Sequence, residues 1–153
     1  MKINIIPYRN EHQPLFKQLN LEWLDQYNLT EHRDRQMLDD PKGTILDLGG
    51  YIWIAEVDGQ SVGSAALIKE HDGVYELAKM SVADAHRGQG ISNFLIEKCI
   101  NKAREIGARK ISLFSNHNLK AAIGLYEKYG FEHVPLVDSP FETADVKMEL
   151  VLG

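Results

Sequence analysis

The sequence predicts an α/β (α+β) domain in which helices cover both faces of a mixed sheet, in the order βααβββαβαββ. Along the chain, the spacing of apolar residues alternates between the period of about 2 typical of strands and the period of about 3.6 typical of helices. Glycine-containing turns separate three strand-like segments in the middle of the chain. A glycine-rich segment then joins a strand to a helix, which indicates a change from a meander to alternating strands and helices.

The sequence pattern of the first third of the chain predicts one strand, two helices and a loop. Residues 3–8 have the apolar character of a short strand, and apolar residues recur at helical spacing over 11–27. Thr30 can cap a second, more charged helix, which the Pro-Lys-Gly segment 41–43 ends. A loop is therefore predicted over 43–50.

In the middle and at the end of the chain, the sequence pattern predicts six further strands and two helices. Turns at 58–59 and 71–73 make the first three of these strands an antiparallel meander. The loop 138–143 is long enough to border a site. Strands are predicted at 51–57, 61–69, 74–82, 110–114, 131–137 and 146–152, and helices at 93–107 and 119–129.

Composition and charge narrow the class of protein. The 153 residues are expected to form a single domain, 1–153, and the net charge of -5 argues against a protein whose main task is to bind nucleic acid through its phosphates. The one cysteine, Cys99, leaves no intrachain disulfide and no cysteine-based zinc cluster, and we expect no metal. Because the chain contains neither a leader pattern nor an apolar run of membrane-spanning length, we expect a cytoplasmic protein with no membrane partner.

The segment His86-Arg87-Gly88-Gln89-Gly90-Ile91-Ser92 is the most informative one in the chain. Its glycines let the backbone approach a ligand closely, and the helix that follows presents unpaired N–H groups at its first turn. These features are typical of a phosphate-binding loop between a strand and a helix. An ordinary turn with packing glycines is the alternative interpretation.

Two longer segments carry a family resemblance: VYELAKMSVADAHRGQGISNFLIE and, downstream, SLFSNHNLKAAIGLYEKYGF. Together they resemble the GNAT superfamily of acyl-CoA-dependent N-acetyltransferases. That family's signature is Gln or Arg, two residues, Gly, one residue, then Gly or Ala, and Arg87, Gly90 and Ser92 occupy the three defined positions. Ser92 departs from the pattern, but its side chain is small enough to leave room for a pyrophosphate.

The resemblance implies a GNAT fold, in which a mixed, mostly antiparallel sheet splays in its middle. The splay is expected between the strands at 74–82 and 110–114, with the thioester of acetyl-CoA lying in it. The loop would hold the pyrophosphate of acetyl-CoA with its backbone amides, and the preceding strand end would pair with the pantetheine arm. The residues implied for cofactor binding are Met80, Ser81, Val82, Arg87, Gly88, Gln89, Gly90, Ile91, Ser92 and Asn116.

Acetyl transfer from a thioester to an amine needs a base for the amine and an acid for the departing thiolate. By resemblance, Tyr126 is the acid, although a core tyrosine on an amphipathic helix is the alternative. Glu76 resembles the general base of some members, and the alternatives are an ordered water as base or an ion pair between Glu76 and a nearby lysine. For Asn116 the alternative is an Asx turn at a strand end.

Several other side chains fit a site less specifically. His86 and His117 are expected to be solvated and without a role. Arg87 can contribute charge to the phosphates or be a surface arginine. Four aromatic residues are candidates for lining the acceptor pocket or, alternatively, for the core. They are Trp23, Tyr27, Tyr51 and Trp53.

The predicted function is an acyltransferase that moves an acetyl or short acyl group from coenzyme A to a primary amine by direct attack in a ternary complex. The acceptor can be a small molecule, an amino acid or a peptide. No covalent acyl-enzyme is expected, because Cys99 lies on the apolar face of a helix. An acyl-CoA-binding sensor without turnover and an adaptor domain without nucleotide remain alternatives, and a homodimer, common in the family, remains open.

Overall fold

Seven strands form one mixed sheet in the computed structural model, which describes residues 2–137 and 139–153. The helices are α1 (Gln13–Gln26), α2 (His32–Asp39), α3 (Ile91–Glu105) and α4 (Lys120–Lys128). The strands are β1 (Ile3–Pro7), β2 (Tyr51–Val57), β3 (Gln60–His71), β4 (Val74–Val82), β5 (Lys110–Ser115), β6 (Glu132–Val134) and β7 (Val146–Val151). Their order in the sheet is β1-β2-β3-β4-β5-β7-β6, and the predicted element order is confirmed.

The sheet is antiparallel except where β4 meets β5. That parallel pairing covers only Val74–Glu76 of β4 against Lys110–Ser112 of β5. Beyond it β5 continues to pair with β7 as far as Ser115, whereas β4 runs on beside β3 alone. The sheet therefore opens between β4 and β5, as the resemblance implied.

Helices pack on both faces of the sheet, as predicted. The face under α3 carries the larger apolar core, which includes Leu95, Cys99 and Ile111, all fully buried. The opposite face packs against α1 and α2 around Phe16 and Leu38. Burial in the α3 core raises the pKa of the Cys99 thiol, so this cysteine is an apolar core residue and not a nucleophile.

Four local predictions need correction. The N-cap of α2 is Glu31, whose N–H donates to the Asp34 carboxylate over 3.0 Å, whereas the Thr30 hydroxyl donates to Asp25. Part of the predicted loop 43–50 is a π-helical turn, Lys42–Leu46, because Pro41 already has helical dihedrals. Helix α3 begins two residues earlier than predicted, and β6 stops at Val134 because Pro135 has no N–H for the ladder.

Candidate active site

The opening between β4 and β5 holds two adjoining clefts. The loop cleft lies between the end of β4, the glycine loop 86–92 and the N-terminal half of α4. The inner cleft lies between β4 and β5 and is covered by α1 and the segment 141–144. The residues that line both clefts are Trp23, Met80, Leu119 and Tyr126.

The glycine loop presents a row of free backbone donors to the loop cleft. Gly88 and Gly90 have φ of 76° and 80°, in the left-handed region that favours glycine. Within the part of the chain that the structure describes, the N–H groups of residues 88–92 donate no hydrogen bond to backbone or side chain. These donors and the positive end of the α3 dipole together favour an anion in the cleft.

The positive φ angles of Gly88 and Gly90 favour glycine at these positions, whereas close contacts within the protein do not require it. A Cβ added to Gly88 would meet no atom within 4 Å, and one added to Gly90 would meet only Asn93 Nδ2 at 4.0 Å. The space in front of both residues is therefore open to a ligand.

The end of β4 supplies the wall of the loop cleft opposite α4. Lys79 has φ of 52°, and it lies in a bulge where β4 has one residue more than β3. Met80, Ser81 and Val82 follow and line the cleft. The Ser81 hydroxyl is buried and has no hydrogen-bond partner among the described residues, which is uncommon for a buried polar group.

Neither Arg87 nor Gln89 presents a free side chain to the loop cleft. The Arg87 Nε donates to the carbonyl of Val82 over 3.1 Å, and its guanidinium also contacts Gln26 and Asp84. This arginine fastens the loop to the end of β4. The Gln89 side chain is exposed and is not among the residues that line the cleft.

Glu76 is a buried carboxyl group on the β4 wall of the inner cleft. Only 4% of it is exposed, and burial, reinforced by the charge of Glu70, raises its pKa to about 7. A group with this pKa exchanges protons readily near neutral pH. The lysine near Glu76 is Lys79, which forms its ion pair with Asp34 and not with Glu76.

Tyr126 lies where the two clefts meet. Its ring is half-buried and packs against Phe131, with the ring centroids 6.0 Å apart. Burial raises the pKa of Tyr126 to about 12, so the hydroxyl keeps its proton at neutral pH. The hydroxyl has no hydrogen-bond partner within residues 2–137 and 139–153, which leaves its proton available to a ligand in either cleft.

The remaining predicted residues divide between the clefts and other surfaces. Trp23 lines both clefts and Tyr27 the loop cleft, whereas Tyr51 and Trp53 stack on each other beside α3 in a separate groove. The stacked pair does not take part in the site.

Asn116 forms the Asx turn that was its alternative and His117 is exposed as expected, whereas His86 is not fully solvated. The Asn116 carboxamide accepts from the N–H of Asn118 in an Asx turn and donates to the carbonyl of Thr143. It borders the inner cleft, and its predicted role toward the coenzyme stays a prediction. The exposed His117 ring contacts the Asp145 carboxylate, whereas His86 is half-buried, lines the loop cleft and has an Nδ1 without a hydrogen-bond partner among the described residues.

Two contributors to the inner cleft were not predicted from the sequence. The buried pair Asp34–Lys79 joins α2 to β4, and Phe141 contacts Phe114 edge to face at 6.2 Å. No local pattern marks either, because the partners are 45 and 27 residues apart in sequence. The one signal in the sequence that could have revealed the pair is a lysine, Lys79, in the largely apolar segment that forms β4.

The described part of the chain contains neither a candidate metal site nor a candidate membrane-spanning helix. No group of three or more His, Cys, Asp or Glu side chains within residues 2–137 and 139–153 is placed to hold a metal ion. Over the same residues, every helix is too short or too polar to traverse a lipid bilayer.

Comparisons with known proteins agree on the fold and the family. The sequence profile described as the acetyltransferase (GNAT) family matches residues 13–131. The uncharacterized N-acetyltransferase YjgM of Escherichia coli (strain K12) is 37% identical over 89 residues, which are 56% of this chain and 53% of that protein. The chain spans about half the length of the curated relatives it matches.

Solved structures with the same fold cover the whole chain. A GNAT-family acetyltransferase from Staphylococcus aureus Mu50 has a TM-score of 0.89 at 22% identity, over 99% of this chain and 100% of that one. The PaiA N-acetyltransferase from Thermoplasma acidophilum, solved in complex with coenzyme A, has a TM-score of 0.78 at 17% identity, over 99% and 100% of the two chains. At these identities the likeness establishes the fold.

Proposed function

This chain belongs to the acetyltransferase (GNAT) family, and on that premise we propose that it transfers an acetyl group from acetyl-CoA to a primary amine. The observation that carries the proposal is the junction at Tyr126. There, a cleft rich in free backbone donors meets a cleft that contains a carboxyl group with a pKa of about 7.

The loop cleft is the proposed site of coenzyme A. The free N–H groups of residues 88–92 and the N-terminus of α3 suit the diphosphate. The end of β4, which extends beyond its pairing with β5, suits the amide groups of the pantetheine arm. The PaiA protein of Thermoplasma acidophilum, which has the same fold, was solved with coenzyme A, and this supports the assignment of the ligand.

The inner cleft is the proposed site of the amine. A primary amine is an ammonium ion near neutral pH, and Glu76 takes one proton from it to leave the neutral nucleophile. The nitrogen lone pair then forms a bond to the thioester carbon, giving a tetrahedral adduct with a positively charged nitrogen and a negatively charged oxygen.

Tyr126 completes the transfer. As the carbon–sulfur bond breaks, the thiolate takes the hydroxyl proton of Tyr126, and the tyrosine regains a proton from the nitrogen of the new amide. The proton on Glu76 leaves to solvent, so one ammonium and one thioester give one amide, one thiol and one proton. The burial that raises the pKa of Tyr126 to about 12 keeps this donor protonated before each cycle.

Release of the coenzyme A thiol tests the proposal. With acetyl-CoA and a panel of primary amines, we expect thiol release that depends on the amine and falls at least about tenfold in Tyr126→Phe. Tyr75→Phe is the matched control, because Tyr75 lies on β4 but lines neither cleft. Equal rates in the two variants contradict the role of Tyr126.

A binding measurement separates the proposed enzyme from its alternatives. Coenzyme binding without thiol release for any amine would indicate an acyl-CoA sensor. If coenzyme A causes no thermal stabilisation, the chain is a domain without this ligand.

A further inference from the structure

We infer that the acceptor is a primary amine attached to an apolar, preferably aromatic, body that carries no carboxylate. This inference rests on the proposed function, because it concerns the substrate of the same site.

The walls of the inner cleft are apolar on several sides. They come from α1 and the residues after it, from β5, from the start of α4 and from the segment 141–144. The apolar side chains that form them are Trp23, Leu24, Leu29, Phe114, Leu119 and Phe141. Such walls favour a ligand with a matching apolar body, because burying it removes apolar surface from water.

The charges of the cleft favour an ammonium and not a carboxylate. The charged side chains of the lining are Asp34, Lys79 and Glu76. Asp34 and Lys79 are each 5% exposed and are paired with each other, so Lys79 cannot serve a substrate carboxylate without leaving Asp34 buried and uncompensated. Glu76 then provides the remaining charge of the lining, and its sign matches an amine.

Phe141 is fixed as a wall of the cleft and is the proposed specificity-determining residue. Its ring lies against Phe114, with Lys79 Nζ 5.7 Å and Arg33 Cζ 5.6 Å from its centroid. The Glu31 carboxylate accepts hydrogen bonds from the N–H groups of Glu142 and Thr143, at 3.2 and 2.9 Å. These contacts hold the segment against α2, so the ring is preorganised for an apolar partner.

Three amines and acetyl-CoA test the inference. Phenethylamine and phenylalanine share an aromatic body and differ by a carboxylate, whereas ethylamine lacks the ring. We expect kcat/KM for phenethylamine to exceed that for phenylalanine by about a hundredfold, because Lys79, the cation among the described lining residues, is already paired with Asp34. We expect phenethylamine to exceed ethylamine by about tenfold or more.

Variants assign the selectivity to named residues. Phe141→Ala should reduce kcat/KM for phenethylamine by about tenfold, mainly through KM, and leave that for ethylamine nearly unchanged. Phe94→Ala, on the exposed side of α3, is the matched control. Asp34→Asn frees Lys79 and should raise the rate with phenylalanine relative to phenethylamine, with thermal melting used to verify that the variant folds.

The outcomes distinguish this inference from the proposed function. Thiol release that is as fast with phenylalanine or ethylamine as with phenethylamine would overturn the inference and leave the acetyltransferase proposal intact. If none of the amines tested causes thiol release, the proposed function is overturned, and the inference with it.

Discussion

The two clefts that meet at Tyr126 are built in different ways. The loop cleft depends on backbone groups of one short segment, residues 86–92, and on the end of one strand. The inner cleft depends on side chains from α1, α2, β4, β5, α4 and the segment 141–144. A cleft of backbone donors suits a ligand that is shared by a family, whereas a cleft of side chains can change its ligand by substitution.

The largest expected effect is a loss of catalysis without a loss of coenzyme binding, which a substitution in the inner cleft should cause. Glu76→Gln removes the proposed base and should lower kcat about a hundredfold or more, while the Kd for coenzyme A stays unchanged. Steady-state kinetics and calorimetry measure the two quantities. Glu70→Gln is the control: it removes a negative charge that raises the pKa of Glu76, so it should retain activity and move the pH profile to lower pH. Equal losses in both variants would contradict the assignment of the base.

A second variant affects the loop cleft alone. Gly90→Val places a β-branched residue at φ of 80° and should weaken coenzyme A binding by about tenfold or more. Gly59→Val is a matched control, because Gly59 has φ of 83° and open space around it but lies in the turn between β2 and β3. Calorimetry should show a loss only for Gly90→Val. If both variants bind coenzyme A equally well, the loop does not hold the diphosphate.

The buried base is also expected to reduce stability above neutral pH. Folding raises the pKa of Glu76 from 4.5 to about 7, so the folded state binds the proton more tightly and loses stability as the pH rises between these values. Above pH 7, Glu76→Gln should therefore be more stable than the parent chain by about 1–3 kcal/mol, and at pH 4 the difference should vanish. Urea unfolding at the two pH values measures it. A variant that is less stable at pH 8 would contradict the pKa shift.

The smallest effect is expected at the position where the loop departs from the family signature. Ser92 lines the loop cleft, and Ser92→Ala restores a residue that the signature allows. Since the proposed contact is the backbone N–H, the Kd for coenzyme A should change by less than about threefold. Calorimetry tests this, and a larger loss would assign the contact to the Ser92 hydroxyl.

The same contrast explains what the sequence could and could not predict. The element order and the glycine loop follow from local periodicity, turn residues and the contiguous segment at Gly88 and Gly90, whereas the splay followed from the family resemblance. The Asp34–Lys79 pair and the position of Phe141 depend on tertiary contacts between distant segments. No local pattern carries that information.

Local errors had a similar origin. Thr30 has the right side chain for a cap, but its hydroxyl is bonded to Asp25, and Glu31 is the N-cap of α2. The carboxylate of Glu31 binds the segment at Thr143, which is 112 residues away. A capping signal predicts that a helix begins nearby, whereas the residue that caps it depends on what the neighbouring chain requires.

The most direct test of the central claim is a titration of the backbone amides, observed by nuclear magnetic resonance. Coenzyme A should shift the N–H signals of residues 88–92, because these groups are expected to bind its diphosphate. Pantetheine, which lacks the diphosphate, should leave those signals in place and shift those of Met80, Ser81 and Val82. If coenzyme A leaves the amides of 88–92 unshifted, or shifts signals elsewhere only, the account of the loop cleft is wrong.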